Sequence, residues 1–160
     1  MPGQKWHLQM KNKLHFVLIL IFMPMISGEN FGIVVHGGAG VMSTLTQDQQ
    51  DAIKLKVSET LISSYKILKN GGSSLDAVEF AVSEFEDSPL FNAGKGSVYT
   101  SNETQEMDAS IMFGLDRSSG AVASVKIIKN PIRLARKVLE ETNHISVSYT
   151  HLTLPTTGVV

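Results

Sequence analysis

Apolar residues recur every three or four places along positions 46–70, which is the spacing of one face of an α-helix. Thr46 and Gln49 stand three residues apart, as in a capping box, and predict where this helix begins. The pair Gly71 and Gly72 predicts where it ends. The predicted buried face consists of Ile53, Val57, Leu61, Tyr65 and Leu68.

A second amphipathic helix is predicted directly after these glycines. Ser73 or Ser74 caps its start. Ser88 and Pro89 stop it, because proline disfavours helical geometry in the residue before it. The predicted buried face consists of Leu75, Val78, Val82 and Phe85.

Several short apolar runs read as strands. The run 33–35 predicts a buried strand that feeds the glycine-rich turn at 36–40. A further strand is predicted at 97–100. Residues 108–112 and 121–128 also read as strands, and the turn residues between them predict a hairpin.

A third helix is predicted with Asn130 as its cap and Pro131 at its first position. Its apolar stripe consists of Ile132, Leu134, Ala135, Val138 and Leu139. A strand, two helices, several strands and a helix together predict a layered α+β fold.

Residues 1–28 have the outline of a signal peptide: an apolar run at 16–23 follows Lys11 and Lys13 and precedes small residues. The run is too short to span a bilayer comfortably. The alternative is a spurious upstream extension. A genuine signal predicts secretion, and the sequon at Asn102 is compatible with it.

The C-terminal residues 146–160 are rich in threonine and continue none of the preceding patterns. They resemble the translation of a transposon-end adapter used in building sequencing libraries, which predicts an assembly artefact. The alternative is a genuine short strand after a splice difference.

Composition excludes some classes of function. A net charge of -1 offers no broad positive field, so nucleic acid is not expected as a partner. With no cysteine, the chain has no disulfide, thiolate nucleophile or cysteine metal cluster. The glycine-rich stretches at 36–40 and 94–97 lack the spacing of nucleotide-binding loops. They permit close main-chain approach or a positive φ, but an ordinary tight turn is an equal alternative.

Four other features admit a functional or a structural interpretation. His36 could be a base or a metal ligand, but it has no second ligand at suitable spacing, and we interpret it as structural. We also interpret Asp108 as structural. The acidic group Glu84, Glu86 and Asp87 is interpreted as a solvated helix end. The basic residues Lys126, Lys129, Arg133, Arg136 and Lys137 are expected on an exposed face.

Five segments taken together resemble the plant-type isoaspartyl peptidase/L-asparaginase family of N-terminal-nucleophile hydrolases. They have that family's order and spacing, and lie at 36–40, 89–97, 106–112, 120–123 and 130–136. Residues 29–145 then correspond to most of the family's α subunit. The resemblance implies an αββα sandwich, of which only the N-terminal part is present.

The resemblance also implies the chemistry. A precursor cleaves itself before a threonine, and the freed amine acts as base for that threonine's hydroxyl. The substrates are the side-chain amide of L-asparagine and the isoaspartyl bond of β-aspartyl dipeptides, and L-aspartate is released. The family also implies a cytoplasmic location and a dimer of heterodimers.

Particular residues match family positions. Asn92 matches the asparagine that helps to hold the nucleophile, and Gly37 and Gly38 match the mobile glycine loop. No organic cofactor is expected. The loop around Asn92 matches a sodium-binding loop whose main-chain carbonyls correspond to Phe85, Glu86, Ser88, Phe91, Ala93 and Lys95.

Two departures from the family qualify this expectation. Phe113 stands where an acidic residue is common. The nucleophile's Gly-Thr-Val-Gly stretch is missing, and Thr157 lacks the preceding glycine. We therefore expect this chain alone to be inactive and to need a β subunit. The alternative is an inactive fragment that acts, if at all, as a binding partner.

Overall fold

The computed structural model describes residues 30–38, 40 and 42–148. The signal-peptide prediction for 1–28 lies outside these residues. The described part contains three α-helices and one sheet of three strands, which confirms a mixed α and β fold. None of its helices is long and apolar enough to cross a membrane. The elements are α1 Gln47–Lys69, α2 Ser74–Glu86, β1 Met107–Met112, β2 Ser119–Val125, α3 Pro131–Glu141 and β3 Ser146–Ser148.

Helix α1 begins and ends where the sequence predicts. The Thr46 hydroxyl accepts from the main-chain N–H of Gln49, whose side chain accepts in return from the N–H of Thr46. At the other end the N–H of Gly72 donates to the carbonyl of Ile67, and Gly71 has a φ of 84°. The five predicted apolar residues are only half-buried, while the small Thr60 and Ser64 are fully buried.

Helix α2 also starts with a capping box, made by Ser73 and Asp76. Its buried stripe contains Ala77, Ala81 and Phe85. The prediction was wrong for Val78, whose side chain is 41% exposed. The buried stripe follows the four-residue series that includes the two alanines, and Val78 lies one position off that series.

Protonation of Asp76 should weaken the start of α2. Hydrogen bonds from Ser73 and then from Arg136 hold the pKa of Asp76 below 3.8. A carboxyl whose pKa is lowered by folding stabilises the protein above its unfolded pKa and loses that effect as pH falls through the folded pKa. Since the Asp76 side chain is 45% exposed, we expect a small effect.

The measurement is urea unfolding of the wild type and Asp76→Asn across a pH series. We expect the wild type to be more stable at neutral pH, and the difference to shrink as pH falls below 3.8. A difference that persisted unchanged into acid would show that the charge of Asp76 does not contribute.

Strands β1 and β2 form the predicted antiparallel hairpin, with Met112 opposite Ser119. Strand β2 ends at Val125 and does not reach the predicted residue 128. Val125 pairs with Met107, the first residue of β1, so the partner strand ends there. Ser124 has a φ of 55° beside an irregularity in the ladder. The Asp108 carboxylate accepts from the N–H of Ser124 at 2.7 Å, so Asp108 has the structural role that we assigned to it.

Two other predicted strands do not form as predicted. Residues 33–35 join no ladder in the described part, and Val34 is 93% exposed. Residues 97–100 contribute only a bridge between Tyr99 and Gln105. An apolar run becomes a strand only where a neighbouring backbone offers hydrogen bonds, and the described residues offer too few here.

The third strand pairs in parallel with β2, giving the order β1-β2-β3. It consists of residues 146–148, which belong to the stretch predicted to be an artefact. Residues 149–160 lie outside the described part, so the artefact stays a prediction.

Helix α3 covers one face of the sheet and completes the core. Pro131 occupies its first turn as predicted. Asn130 is its N-cap by position, but the Asn130 side chain donates to the Asp87 carboxylate at 3.0 Å instead of capping the helix. Buried apolar residues from the sheet and α3 pack together: Ile111, Val122, Val125, Ile132, Leu134, Ala135 and Val138.

Candidate functional site

The loop that follows α2 folds back onto the end of that helix. The N–H of Ser88 donates to the carbonyl of Phe85, and the Ser97 hydroxyl donates to the carbonyl of Gly94 at 2.7 Å. The rings of Phe85 and Phe91 lie 4.5 Å apart, centroid to centroid. These contacts hold residues 87–97 as a compact loop.

Two glycines make this compactness possible. Gly94 has a φ of 50°, and a Cβ placed there would overlap the carbonyl oxygen of Glu86. A Cβ on Gly96 would overlap the carbonyl oxygen of Phe91. Of the two interpretations of 94–97, close main-chain approach is therefore the one that the structure shows.

The carbonyl groups that the family resemblance assigns to sodium all belong to the end of α2 and this loop. The carbonyls of Phe85 and Ala93 each accept one main-chain hydrogen bond, which leaves each oxygen a second lone pair. Uncharged oxygen donors in a compact loop suit a hard cation. Two of the six carbonyls therefore keep a lone pair that a hard cation could use. Within the described part, no group of three or more histidine, cysteine or acidic side chains could hold a metal.

The side chain of Asn92 is fixed by the same loop. Its carbonyl oxygen accepts from the N–H of Val98 at 2.9 Å. Because that bond uses the oxygen, the amide NH₂ is the group left to donate. Asn92 is exposed, and its NH₂ has no hydrogen-bond partner in the described residues. This geometry makes Asn92 a donor available to a further group.

Gly37, in the first glycine-rich stretch, lies against the Asn92 loop. A Cβ on Gly37 would lie 3.0 Å from the ring of Phe91 and 3.6 Å from the side chain of Val57. Gly38 has a φ of 102°, and its N–H donates to Nδ1 of His36 at 3.1 Å. The structure therefore brings Gly37 beside the residue that precedes Asn92. The ring of His36 supports the turn, as the structural interpretation held.

Glu86 is a buried carboxylate that sequence reasoning missed. It is 3% exposed, so its interpretation as part of a solvated helix end was wrong. One carboxylate oxygen accepts from the N–H of Ile132 at 3.0 Å, in the first turn of α3. The other oxygen is buried and has no partner among the described residues. Burial raises the pKa of this carboxyl.

No local sequence pattern indicates that Glu86 is buried, because the acidic residues around it are typical of a polar helix end. The other two members behave differently from it. Glu84 forms a partly buried pair with Lys56, and Asp87 pairs with Lys129 at 3.0 Å. The Glu86 contact with α3 depends on residues 46 positions away.

One basic residue of α3 differs from its prediction, whereas Arg133 and Lys137 are exposed as predicted. Arg136 lies between α2 and α3, with its side chain 21% exposed. Its guanidinium contacts the carboxylates of Asp76 at 2.7 Å, Glu79 at 2.8 Å and Glu140 at 2.8 Å. We expected it on an exposed face, and that was wrong, because the acidic partners are contributed mainly by the neighbouring helix.

An open groove of about 490 Å³ borders the loop beside Gly94. Its lining includes three lysines. Lys126 pairs with Glu106 and Lys129 with Asp87, both at 3.0 Å, so most of the positive charge is balanced. The groove therefore carries little net charge.

Comparison with known proteins extends this picture. A family model described as asparaginase matches residues 29–151. The isoaspartyl peptidase/L-asparaginase of Bos taurus is 49% identical over 112 residues, covering 70% of this chain and 36% of that protein. The protein of the same name from Mus musculus is 48% identical over 112 residues, covering 70% and 34%.

A plant-type L-asparaginase from Pyrococcus furiosus is 49% identical over 113 residues, covering 71% of this chain and 36% of that protein. The chain spans about a third of the length of the curated relatives that it matches.

Proposed function

Because this chain belongs to the asparaginase family, we propose that the whole protein hydrolyses the side-chain amide of L-asparagine and the isoaspartyl bond of β-aspartyl dipeptides. The observation that carries the proposal is the family match over residues 29–151, with relatives named isoaspartyl peptidase/L-asparaginase at 48–49% identity. The family assignment made from the five sequence segments is thereby confirmed.

The proposal includes the αββα sandwich. In support, helix α3 covers one face of the sheet, while the opposite face of the hairpin is open. That open face carries small and polar side chains, such as Ser110 and Ala121, together with Met112, which is 59% exposed. Small residues allow another layer to approach closely, and a second sheet would cover this face.

The proposed nucleophile is a threonine freed by self-cleavage. Its hydroxyl oxygen attacks the substrate's side-chain carbonyl carbon while its own α-amino group takes the hydroxyl proton. The carbon–nitrogen bond breaks, ammonia or an amino acid leaves, and water hydrolyses the ester to release L-aspartate. These 160 residues contain no Gly-Thr-Val-Gly stretch. We therefore propose that this chain is inactive without a β subunit that supplies it.

Within this scheme the described residues support the nucleophile. Asn92 donates its free NH₂ toward the reacting centre, held in orientation by the N–H of Val98. Gly37 and Gly38 form the loop against which cleavage occurs. The contact of Gly37 with Phe91 keeps that loop next to Asn92.

A structural sodium ion completes the proposed site. It would be held by the main-chain carbonyls of Phe85, Glu86, Ser88, Phe91, Ala93 and Lys95. The ion would supply no chemistry to the reaction beyond holding the loop that presents Asn92.

The proposal is tested by assaying L-aspartate release from L-asparagine and from a β-aspartyl dipeptide. The assay compares this 160-residue chain with a longer product of the same gene that contains a Gly-Thr-Val-Gly stretch. We expect release of L-aspartate only from the longer protein, and only after it has been cleaved before that threonine. We also expect its heterodimers to form pairs. A longer protein that was cleaved but released no L-aspartate would refute the proposed hydrolase activity.

The same experiment addresses the alternative of an inactive binding fragment. That alternative predicts that the 160-residue chain forms a stable complex with the longer protein and adds no activity. Hydrolysis by the 160-residue chain alone would contradict both this alternative and the proposal that the chain lacks its nucleophile.

Substitution of Asn92 should reduce turnover without unfolding the protein. Asn92→Asp keeps an oxygen for the N–H of Val98 but loses the donor, whereas Asn92→Ala loses both. We expect kcat of the active longer protein to fall about 100-fold in either variant, because misplaced catalytic groups cost about that factor. Only Asn92→Ala should also lower the melting temperature.

The matched control is Asn143, which is also exposed and lies outside the loop. Asn143→Asp should leave kcat unchanged. Full activity in Asn92→Asp would show that the amide donor of Asn92 plays no part in catalysis.

A further inference from the structure

The turn between Tyr99 and Gln105 carries a motif that the proposed hydrolysis does not use. Asn102-Glu103-Thr104 is the single Asn-X-Ser/Thr sequence in the 160 residues. This sequence is the acceptor for N-linked glycans when it lies on an accessible surface loop. The geometry of the turn decides whether that condition is met.

The turn is short and closed at its base. Tyr99 and Gln105 form an antiparallel bridge, and the N–H of Thr100 donates to the carbonyl of Thr104 at 2.8 Å. The N–H of Glu103 donates to the carbonyl of Thr100 at 3.0 Å. Ser101 and Asn102 are therefore the central residues of the turn, and Glu103 follows them before the chain returns to Thr104. Glu103 has a φ of 58°, in the left-handed region that tight turns use.

The carboxamide of Asn102 is exposed and has no hydrogen-bond partner in the described residues. Two other asparagine amides in the described part are engaged, that of Asn92 with Val98 and that of Asn130 with Asp87. The folding of the turn instead uses the Thr100 and Thr104 hydroxyls, which lie 3.0 Å apart. A substituent on the Asn102 nitrogen would extend into solvent without displacing any of these contacts.

We propose that Asn102 is an N-glycosylation site. The reaction joins its side-chain nitrogen to the anomeric carbon of an oligosaccharide carried on a lipid diphosphate. The bond from that carbon to the diphosphate oxygen breaks, the lipid diphosphate leaves, and the amide gives up one proton. Transfer takes place on the luminal side of the secretory pathway. The outline of a signal peptide in residues 1–28 provides the route there.

The test is translation of the full chain, with its own N-terminus, in the presence of endoplasmic reticulum microsomes. We expect one glycan, removed by peptide N-glycosidase F, which leaves aspartate at position 102 for peptide mass spectrometry. Asn102→Gln and Thr104→Ala should abolish the modification, whereas Thr104→Ser keeps the acceptor motif and should retain it. A glycan that persists in Asn102→Gln would overturn the proposal.

A matched control reports whether the chain enters the lumen. Asp116→Asn creates a second acceptor motif with Arg117 and Ser118 in the hairpin turn. The new amide oxygen can still accept the N–H of Ser118, now bound by Asp116 at 2.9 Å. We expect two glycans in this variant. A glycan at 116 alone would show that the Asn102 turn is inaccessible, and none at either position would show that the chain stays outside. Either result overturns the proposal.

Discussion

Gly120→Ala should lower the free energy of unfolding by about 3 kcal/mol, the upper part of the range for overpacked cores. Gly120 is buried in β2, directly beneath α3. A Cβ there would overlap the carbonyl oxygen of Ala135, and would lie 2.5 Å from the main-chain nitrogen of Leu139. Because these neighbours are backbone atoms of a helix, α3 must move away from the sheet to make room.

The control is Gly114→Ala in the hairpin turn of the same sheet. A Cβ on Gly114 would meet nothing within 4 Å, and its φ is not in the left-handed region. We expect its effect to stay within about 0.5 kcal/mol. Urea unfolding of the whole protein, followed by circular dichroism, measures both. Equal losses of unfolding free energy in the two variants would show that the close approach of α3 to Gly120 does not cause the destabilisation.

Glu86→Ala is expected to destabilise the protein by about 3 kcal/mol, because it leaves a buried main-chain N–H without an acceptor and opens a cavity. The N–H concerned is that of Ile132, which is 1% exposed. Glu86→Gln should cost less, because its amide oxygen can still accept this bond. The variants therefore separate the loss of the acceptor from the loss of charge.

Glu84→Ala is the matched control, since it removes a glutamate from the same helix two residues earlier. Glu84 pairs with Lys56, and its side chain is 35% exposed. Pairs of this kind contribute less than about 1 kcal/mol. The same unfolding measurement applies. A loss in Glu86→Ala no larger than that in Glu84→Ala would contradict the role of Glu86 in holding the start of α3.

The elements that sequence predicted correctly depend on residues close together in the chain. The capping boxes at Thr46 and Ser73 need only the next three residues. The hairpin of β1 and β2 needs only one turn and two alternating segments. Such local signals contain the physical cause of the structure, so one sequence suffices to read them.

The errors concern interactions between distant parts of the chain. Glu86 is buried because α3 places the N–H of Ile132 against it. Arg136 is drawn inward because α2 presents Asp76 and Glu79 to it. Nothing in the neighbouring sequence of Glu86 or Arg136 distinguishes them from ordinary surface residues. Only the packing of α2 on α3 does so.

The candidate site shows the same division. Glycine spacing indicated that residues 94–97 permit close main-chain approach, and the contacts of Gly94 and Gly96 confirm it. The roles of Asn92, Gly37 and Gly38 came from family resemblance and stay predictions. The meeting of Gly37 with Phe91 joins two segments more than 50 positions apart, and no spacing rule reveals it.

The cluster around Arg136 has a consequence for how this sequence can evolve. One guanidinium serves three carboxylates, so the loss of Asp76, Glu79 or Glu140 still leaves it two partners. Loss of the arginine leaves three neighbouring anions that repel one another. Each acidic residue can therefore be substituted alone with a small loss of stability. The losses of stability from two or three such substitutions are not additive. We therefore expect substitution of Arg136 to destabilise the α2–α3 contact more than substitution of any one of its three acidic partners.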